Sequence, residues 1–238
     1  MKRAAEIAEL RARELLTGKK GSRFGIKASY LHRERAVYFE DDDESVVYQP
    51  DVYMLAAHLG RLAGARYLVD IGCGAGRKLI ETAEATGMVP IGIDCGSNLE
   101  RSRAARPHWQ WLEVDLEQPA GSLLPEEVLR QAVLVCADVI EHLNDPTGLV
   151  GLLREWMRAA RVGVLTTPER DLEYGIGHRG PPPNLRHVRE WNAAELASYL
   201  RLEGLNVPFI GLTRSNDQSP QMKTTLAILG PTSPSYDT

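Results

Sequence analysis

The chain has 238 residues, with 28 Lys and Arg against 32 Asp and Glu, so its formal net charge is −4 at neutral pH. A composition of 43% hydrophobic and 25% charged residues is typical of globular proteins and excludes disordered, collagen-like and fibrous chains. Apolar runs such as 132–137 are too short to cross a bilayer, and the mixed charges of residues 1–16 fit neither a signal peptide nor a transit peptide. We therefore expect a soluble, cytoplasmic protein with one principal domain and no membrane contact.

Residues 1–50 form an extension ahead of the regular part of the chain. Ala5, Ala8 and Ala12 recur at helical spacing, which predicts an amphipathic helix that ends near Gly18. The mixed segment that follows, 18–49, ends in an acidic run at 41–44 that is either a solvated loop or a gate near a cationic ligand. Its tyrosines either line an acceptor lid or belong to the core; they are Tyr30, Tyr38 and Tyr48.

From residue 51 onward, helical and strand-like patterns alternate. Helical spacing is found at 52–62, 77–86, 98–103, 126–129 and 147–159. Short β-prone runs lie between these segments, at 67–71, 89–93, 109–114, 132–136 and 162–166. Repeated β-α-β units of this length predict a parallel, doubly wound sheet with helices on both faces.

The pattern changes after residue 167. Residues 168–190 are rich in proline and glycine and lack periodicity, which predicts a long functional loop. Asn192, with Glu195 in the capping-box position, begins a further helix. Two strand-like runs at 207–212 and 224–229 predict an antiparallel pair that completes a seven-stranded sheet, so the main domain spans 51–230 and 231–238 form a frayed tail.

A glycine-rich run, V-D-I-G-C-G-A-G-R at 69–77, lies where the first predicted strand turns into a helix. Glycines in that position allow a tight turn and a close approach of the backbone to a ligand. The spacing is G-x-G-x-G, whereas a dinucleotide-binding motif requires glycine at the position of Arg77. A P-loop motif is also absent from the sequence.

Carboxylates follow four successive predicted strands, at Asp70, Asp94, Asp115 and Asp138. Asp94 lies 22 positions beyond Gly72, where an acidic side chain can accept both hydrogens of a ribose diol. Asp115 is placed to accept from an adenine amino group. Four carboxylates at one edge of the sheet favour a cationic ligand over a polyphosphate.

The glycine-rich run, Asp94, Asp115 and the run C-A-D-V-I-E-H-L at 136–143 together resemble class I S-adenosylmethionine-dependent methyltransferases, over roughly residues 51–229. The resemblance implies a Rossmann-like methyltransferase fold, S-adenosyl-L-methionine as cofactor and S-adenosyl-L-homocysteine as product. It also implies cofactor contacts from the first turn, the second and third strand ends and the pocket floor: Asp70, Gly72, Cys73, Gly74 and Gly76, then Asp94, Cys95, Asp115 and Leu116, then Ala137, Asp138 and Val139.

A narrower resemblance connects the segments 166–171 and 180–191, with 48–51 and 215–217, to small methyltransferases of glycan and natural-product pathways. It implies a small-molecule acceptor, often a hydroxyl, without identifying it. His142 and His187 are the candidate general bases, and the alternative for each is a structural role in shaping the pocket or the loop. Arg186 and Arg189 either bind an anionic acceptor or pair with Glu190 and Glu195 on the surface. His178 is a weaker catalytic candidate, and the remaining histidines are expected to be structural: His32, His58 and His108.

The three cysteines, Cys73, Cys95 and Cys136, lack CxxC spacing and nearby histidines, so we expect packed, reduced thiols and no metal site. Nucleic acid is not an expected partner, because the chain is net acidic and has no Lys- or Arg-rich run. The expected assembly is a monomer or homodimer.

The predicted function is methyl transfer from S-adenosylmethionine to a hydroxyl, less often an amine, of a small metabolite such as a sugar or natural-product intermediate. Two alternatives remain. A catalytically silent regulator that binds the cofactor would keep the same cofactor residues. A nicotinamide-dependent oxidoreductase is disfavoured by Arg77 at the third glycine position.

Overall fold

The computed structural model describes residues 23–41, 45–119 and 123–232, and its centre is a seven-stranded sheet with helices on both faces. The predicted helix before Gly18 and most of the predicted tail lie outside the described residues. The strands are β1 (Tyr67–Ile71), β2 (Val89–Asp94), β3 (Gln110–Glu113), β4 (Ala132–Ala137), β5 (Val162–Pro168), β6 (Asn206–Thr213) and β7 (Thr224–Gly230). The helices are α1 (Val52–Leu62), α2 (Arg77–Thr86), α3 (Gly96–Ala105), α4 (Glu126–Leu129), α5 (Thr147–Trp156), α6 (Arg170–Tyr174) and α7 (Ala193–Leu202).

The strand order is β3-β2-β1-β4-β5-β7-β6. Strands β1 to β5 pair with one another in parallel, whereas β7 runs antiparallel to both β5 and β6. The chain proceeds outward from β1 to β3 and then returns to add β4 on the other side of β1. Ligands of such sheets bind where the order reverses, so this topology places a crevice at the carboxyl ends of β1 and β4. The predicted doubly wound, mostly parallel sheet with an antiparallel pair is confirmed.

The core lies on both faces of the sheet. Every residue of β4 is buried, and successive side chains alternate between two apolar clusters: Leu134 and Cys136 belong to one, Val133 and Val135 to the other. A continuous apolar run of this kind is typical of a central strand that helices cover on both sides.

Local sequence signals fix the helix ends. Gly87 ends α2 with a left-handed φ of 71°, which glycine adopts without steric cost. The predicted capping box begins α7, since the Asn192 side chain accepts from the Glu195 amide and the Glu195 side chain accepts from the Asn192 amide.

The N-terminal segment, residues 23–41, and the acceptor loop, residues 168–190, pack together. Ile26 and Tyr30 lie in the main apolar cluster. Backbone amides of the N-terminal segment donate to carbonyls of the loop, from Leu31 to Arg179 at 2.7 Å and from Arg33 to Val188 at 2.8 Å. The two segments therefore form one wall beside the crevice.

The acceptor loop is not wholly irregular, contrary to the sequence prediction. It contains the five-residue helix α6, whose first turn is capped by the Glu169 carboxylate, which accepts from the Leu172 amide at 2.6 Å. A helix this short spans too few residues to produce visible periodicity. Among the described residues, none of the helices has both the length and the apolar character needed to span a bilayer.

Candidate functional site

A cavity of about 570 Å³ lies at the carboxyl ends of β1, β2 and β4. Three elements outside the parallel core close it: the N-terminal segment, the acceptor loop and the residues that precede β7. Both predicted catalytic histidines, His142 and His187, line this cavity. So do all predicted cofactor residues except Asp70 and Gly76.

The glycine-rich turn after β1 requires glycine for two separate reasons. Gly72, Gly74 and Gly76 have φ values of 79°, 58° and 77°, in the left-handed region. A Cβ on Gly72 would lie 2.4 Å from the nearest methyl carbon of Val139, and one on Gly76 would lie 2.8 Å from the Trp111 ring. The turn therefore packs bare backbone against these two side chains, so glycine is needed for space as well as for the backbone conformation.

Asp94, at the end of β2, accepts two backbone hydrogen bonds. The amides of Gly74 and Cys95 each donate to a different carboxylate oxygen at 2.7 Å. Each oxygen keeps a lone pair directed away from these amides, so the carboxylate can also accept from a diol in the cavity. Burial raises the pKa of Asp94 to about 6, in spite of the two amide donors that oppose the shift.

Asp70 lies behind the cavity wall. Its carboxylate is fully buried and accepts from the Tyr53 hydroxyl at 3.1 and 2.9 Å. Desolvation raises its pKa to about 7. Asp70 therefore shapes the turn and its electrostatic field from behind, rather than from the cavity surface.

Further predicted cofactor residues also line the cavity. Asp115 and Leu116 follow β3 and line the cavity. One oxygen of the Asp115 carboxylate accepts from the Glu117 amide at 2.9 Å. Ala137 and Val139 line the floor at the end of β4. Among the thiols, Cys136 is buried in β4 and Cys73 is buried in the turn, as expected of packed cysteines, while Cys95 is partly exposed to the cavity.

Asp138 lies at the centre of a hydrogen-bonded cluster of polar side chains that the sequence pattern did not reveal. It has a φ of 53°, which is uncommon for a residue with a side chain and is found at functional sites. Its two carboxylate oxygens accept from the Thr166 hydroxyl at 2.9 Å and from the Gln49 amide. The Lys78 ammonium donates to the Gln49 side-chain oxygen at 2.9 Å, and burial lowers the pKa of Lys78.

The N-terminal segment reaches the glycine turn through Asp41, the first residue of the acidic run. The Asp41 carboxylate accepts from the Ala75 amide at 2.9 Å, and the Asp41 amide donates to Asn98 at 2.9 Å. A Cβ on Gly74 would lie 2.5 Å from this carboxylate. Asp41 therefore contacts the cofactor turn, whereas residues 42–44 of the acidic run lie outside the described residues.

The two predicted catalytic histidines are neighbours. The ring centroids of His142 and His187 are 4.8 Å apart in an edge-to-face arrangement. His142 Nδ1 donates to the Arg186 carbonyl at 2.8 Å, and His187 Nδ1 contacts a Glu190 carboxylate oxygen at 2.5 Å. Desolvation lowers the pKa of His142 to about 3 and that of His187 to about 4, so both rings are neutral at pH 7.

Two buried glutamates accompany the histidines, and the sequence analysis assigned neither to the site. Glu141 and Glu190 are both fully buried. One oxygen of Glu141 accepts from the Thr167 hydroxyl at 2.9 Å. Burial and the Asp138 carboxylate raise the pKa of Glu141, and burial raises that of Glu190 to about 7. Glu141 stands inside the quoted C-A-D-V-I-E-H-L run, so the signal was present, but its partners lie over 25 residues away along the chain.

The arginines of the acceptor loop have different roles. Arg189 is buried and donates to the carbonyls of Leu143 and Asn144 at 2.8 and 2.5 Å, which excludes the predicted surface pair with Glu190 or Glu195. Arg186 is exposed and lines the cavity, with its guanidinium 5.0 Å from the centre of the Phe39 ring. Arg186 is thus the loop arginine that an acceptor can reach.

The remaining tyrosines and histidines also divide between core and cavity. Tyr30 is core, whereas Tyr38 and Tyr48 are about half exposed and line the cavity. His178 packs against Tyr174, and its ring does not line the cavity. The others behave as structural or surface residues: His32 accepts from Arg189, and His58 and His108 are exposed.

Comparison with known proteins identifies the family. Residues 3–208 match a methyltransferase domain family. This chain belongs to the class I S-adenosylmethionine-dependent methyltransferases. It is 33% identical over 156 residues to a probable S-adenosylmethionine-dependent methyltransferase of Mycolicibacterium smegmatis, and 27% identical over 156 residues to a ubiquinone biosynthesis O-methyltransferase of Xanthomonas euvesicatoria. These matches cover 66% and 61% of the chain and span only 57% and 64% of the relatives' own lengths.

Solved structures share the fold of this methyltransferase. The methyltransferase domain of bacterial CtHen1 aligns with a TM-score of 0.55 and 20% identity, over 76% of the chain and 98% of that domain. The [4+2]-cyclase SpnF aligns with a TM-score of 0.57 and 16% identity, over 94% of the chain and 95% of its own. A methyltransferase-like fold that carries a cyclase shows that fold alone does not fix the reaction.

The residues of the crevice fit S-adenosylmethionine as the cofactor of this methyltransferase. The glycine turn leaves no room for a Cβ at Gly72, and the Asp94 carboxylate keeps free lone pairs beside it. The Asp41 and Asp94 carboxylates line this part of the cavity and can accept from the ammonium and hydroxyl groups of the cofactor.

Proposed function

We propose that this methyltransferase transfers the methyl group of S-adenosylmethionine to a hydroxyl of a small metabolite, such as a sugar or natural-product intermediate. The observation that carries the proposal is the continuity of one cavity, from the glycine turn and Asp94 to the His142–His187 pair. A cofactor end and an acceptor end in one continuous space are what an in-line transfer requires.

The bound cofactor supplies an activated methyl group on a positively charged sulfur. The chain's own task is to hold an acceptor oxygen in line with that methyl group, exclude water and dispose of the hydroxyl proton. As the new C–O bond forms, the S–CH₃ bond breaks with its electron pair left on sulfur, and the acceptor O–H bond gives up its proton. Phe39 and the acceptor loop enclose the acceptor end and reduce its exposure to water.

The two histidines are the residues that we assign to the acceptor hydroxyl. A neutral imidazole offers an unshared electron pair, through which it accepts a hydrogen bond or a proton, or binds a metal ion. The Nδ1 atoms of His142 and His187 are held by the Arg186 carbonyl and by Glu190. Their Nε2 atoms are therefore the ones that can meet the acceptor, which at His187 would replace the Asn184 amide that donates to Nε2 at 3.0 Å.

A small acceptor suits this site better than a macromolecule. The cavity is walled by the N-terminal segment and the acceptor loop, which are joined by backbone hydrogen bonds, and the chain is net acidic. A nucleic acid would favour an electropositive surface instead. The distant ubiquinone O-methyltransferase relative supports an oxygen over a nitrogen as the methylated atom.

The first test is calorimetric titration of the full chain with S-adenosylhomocysteine, alongside an identical titration with NADH. Binding of S-adenosylhomocysteine alone, followed by methylation of a hydroxylated acceptor from a sugar and phenol panel, is the expected result. Binding of NADH would instead support the oxidoreductase. A bound cofactor product with no turnover on any acceptor would support the silent regulator.

The second test separates binding from catalysis. His142→Ala and His187→Ala should each lose at least about 100-fold in turnover while keeping their affinity for S-adenosylhomocysteine. His58→Ala is the matched control, because His58 is exposed on α1 and does not line the cavity. Unchanged turnover in both histidine variants would remove them from the reaction.

A further inference from the structure

We propose that Glu141, His142 and His187 bind one divalent transition-metal ion at the acceptor end of the cavity. Each residue offers one donor atom, and the three atoms all lie within 4.8 Å of one another. Ligand atoms around one tetrahedral ion, with bonds of about 2.1 Å, are about 3.4 Å apart. Rotation of the side chains would bring these atoms onto a common ion.

Both histidines are oriented as metal ligands usually are. His142 Nδ1 lies 2.8 Å from the Arg186 carbonyl, which can only accept, so this nitrogen carries the proton. His187 Nδ1 lies 2.5 Å from a Glu190 carboxylate oxygen. In a neutral ring, each arrangement leaves Nε2 unprotonated. A carbonyl or carboxylate behind each imidazole is the second layer of contacts that typically fixes metal-bound histidines.

The third ligand has an unmet bonding requirement. Glu141 is fully buried, and its Oε2 accepts from Thr167, but its Oε1 has no hydrogen-bond partner within the described part of the chain. A buried carboxylate oxygen left without a partner is costly. A cation bound by this oxygen supplies the missing partner.

Charge around the cluster also favours a cation. The carboxylates of Asp138 and Glu190 both act on Glu141 with like charge. The Lys78 ammonium acts on Asp138 with opposite charge, the Arg186 guanidinium acts on both histidines, and Arg33 and Arg170 act on His187 and Glu190. A divalent cation beside Glu141 would oppose the like charge of its two carboxylate neighbours.

The donor set selects the class of metal. Two imidazole nitrogens and one carboxylate oxygen suit Mn²⁺, Fe²⁺, Co²⁺ or Zn²⁺, whereas Mg²⁺ and Ca²⁺ prefer oxygen ligands alone. The sequence analysis expected no metal site because the cysteines lack suitable spacing. The ligands proposed here are not cysteines, and the acceptor loop brings His187 to Glu141 and His142. The Asn184 amide now donates to His187 Nε2 at 3.0 Å, so metal binding requires Asn184, which is exposed, to turn away.

The role of the ion, unlike its binding, rests on the proposed function. Three protein ligands leave positions open for the acceptor, and a hydroxyl bound to a divalent ion has a lowered pKa. An ion held by Glu141, His142 and His187 would thus help the acceptor hydroxyl to give up its proton to water as its oxygen takes the methyl group.

The test uses the full chain after dialysis against EDTA, titrated with Co²⁺ and followed by visible absorption, with Mn²⁺ and Mg²⁺ followed by calorimetry. We expect one Co²⁺ per chain with d–d bands, comparable Mn²⁺ binding and much weaker Mg²⁺ binding. Glu141→Gln and His187→Gln should each weaken Co²⁺ binding by at least about 100-fold, and Glu190→Gln by about 10- to 100-fold. His108→Gln is the control for exposed histidines and should bind Co²⁺ unchanged.

Binding of S-adenosylhomocysteine is measured on every variant as the readout of folding. If Glu141→Gln no longer binds S-adenosylhomocysteine, the Co²⁺ affinity of His187→Gln decides whether the metal site stands. No d–d bands at millimolar Co²⁺, or bands that persist in a folded ligand variant, would overturn the metal site while leaving methyl transfer open. Metal binding at these residues without methylation of any hydroxyl would uphold the site and overturn the hydroxyl acceptor instead.

Discussion

The cavity has two ends that are built in different ways. The cofactor end is made of backbone: the glycine turn after β1, the amides that hold Asp94 and the floor after β4. The acceptor end is made of side chains from segments far apart in sequence, as when Thr167 donates to Glu141 and Glu190 contacts His187. The cofactor end depends on the space that glycines leave. The acceptor end depends on hydrogen bonds between side chains.

This difference teaches where each end is vulnerable. At the cofactor end, a single added carbon meets rigid backbone or packed core, because interiors are close-packed. At the acceptor end, removing one partner leaves a buried polar group unsatisfied, while the backbone around it is unaffected. Each end should therefore be most sensitive to a different kind of substitution.

The largest effect is expected from Gly72→Ala. The new Cβ would lie 2.4 Å from a methyl carbon of Val139, and φ is 79°. Affinity for S-adenosylhomocysteine should fall by about 100-fold or more, equivalent to about 2.8 kcal/mol, by calorimetric titration. Gly64→Ala is the control, because Gly64 has a φ of 75° but a Cβ added there would have nothing within 4 Å.

Gly64→Ala should lose about 1 to 2 kcal/mol of unfolding free energy through the left-handed backbone alone, with unchanged affinity for S-adenosylhomocysteine. Equal affinity losses in the two variants would mean that backbone strain, rather than the contact with Val139, governs the cofactor end. Comparison of the two variants therefore separates the cost of the left-handed backbone from the cost of the contact with Val139.

The cofactor end could be predicted from sequence because its signals are local. Gly72, Gly74 and Asp94 follow strands directly, and the carboxyl ends of parallel strands meet at one edge whatever the rest of the chain does. For the same reason, the mostly parallel sheet and the helix ends at Gly87 and Asn192 followed from short patterns.

The acceptor end could be predicted only in part. His142 and His187 were identified as candidates, but their contact depends on the path of the acceptor loop over the sheet, which no short pattern encodes. Lys78 and Glu141 looked like ordinary helix and strand-end residues, and only their burial beside Asp138 sets them apart. Long-range packing decides these positions, so a single sequence cannot reveal them.

The next largest effect contrasts two arginines of the acceptor loop. Arg189→Leu removes donors to the carbonyls of Leu143 and Asn144 and should lower the free energy of unfolding by about 2 to 3 kcal/mol. Arg186→Leu, on the exposed cavity rim, should change it by no more than about 0.5 kcal/mol and raise the acceptor KM instead. Denaturant unfolding measures the free energy of unfolding, and steady-state kinetics measures the acceptor KM. Equal stability losses would contradict the division between core and cavity.

A smaller effect concerns pH. Burial raises the pKa of Asp70 to about 7 and that of Asp94 to about 6, from an ordinary 3.8. Between about pH 4 and 7 the folded chain thus holds protons that the unfolded chain releases, so each group makes the free energy of unfolding fall as pH rises, by at most about 1.4 kcal/mol per pH unit. Asp70→Asn removes the contribution of Asp70 to this pH dependence.

Relative to the unaltered chain, the Tm of Asp70→Asn should therefore rise as pH increases from 4 to 7, in thermal melts without cofactor. Glu155→Gln, an exposed carboxylate on α5, is the matched control. Melting curves of Asp70→Asn that stay parallel to those of the unaltered chain would show that Asp70 is already ionised in the folded state.

The smallest effect tests how the side-chain wall closes over the backbone end. The Tyr38 hydroxyl donates to the Cys95 carbonyl at 2.9 Å, which joins the N-terminal segment to the end of β2. Tyr38→Phe keeps the ring and loses one hydrogen bond worth about 0.5 to 1.5 kcal/mol. Because this contact closes the wall without contacting Asp94, we expect dissociation of S-adenosylhomocysteine to become about 2- to 10-fold faster, measured by stopped flow. Tyr48→Phe, on the same cavity, is the control, and an unchanged rate in Tyr38→Phe would mean that the contacts of Phe39 and Asp41 suffice to join this segment to the cofactor end.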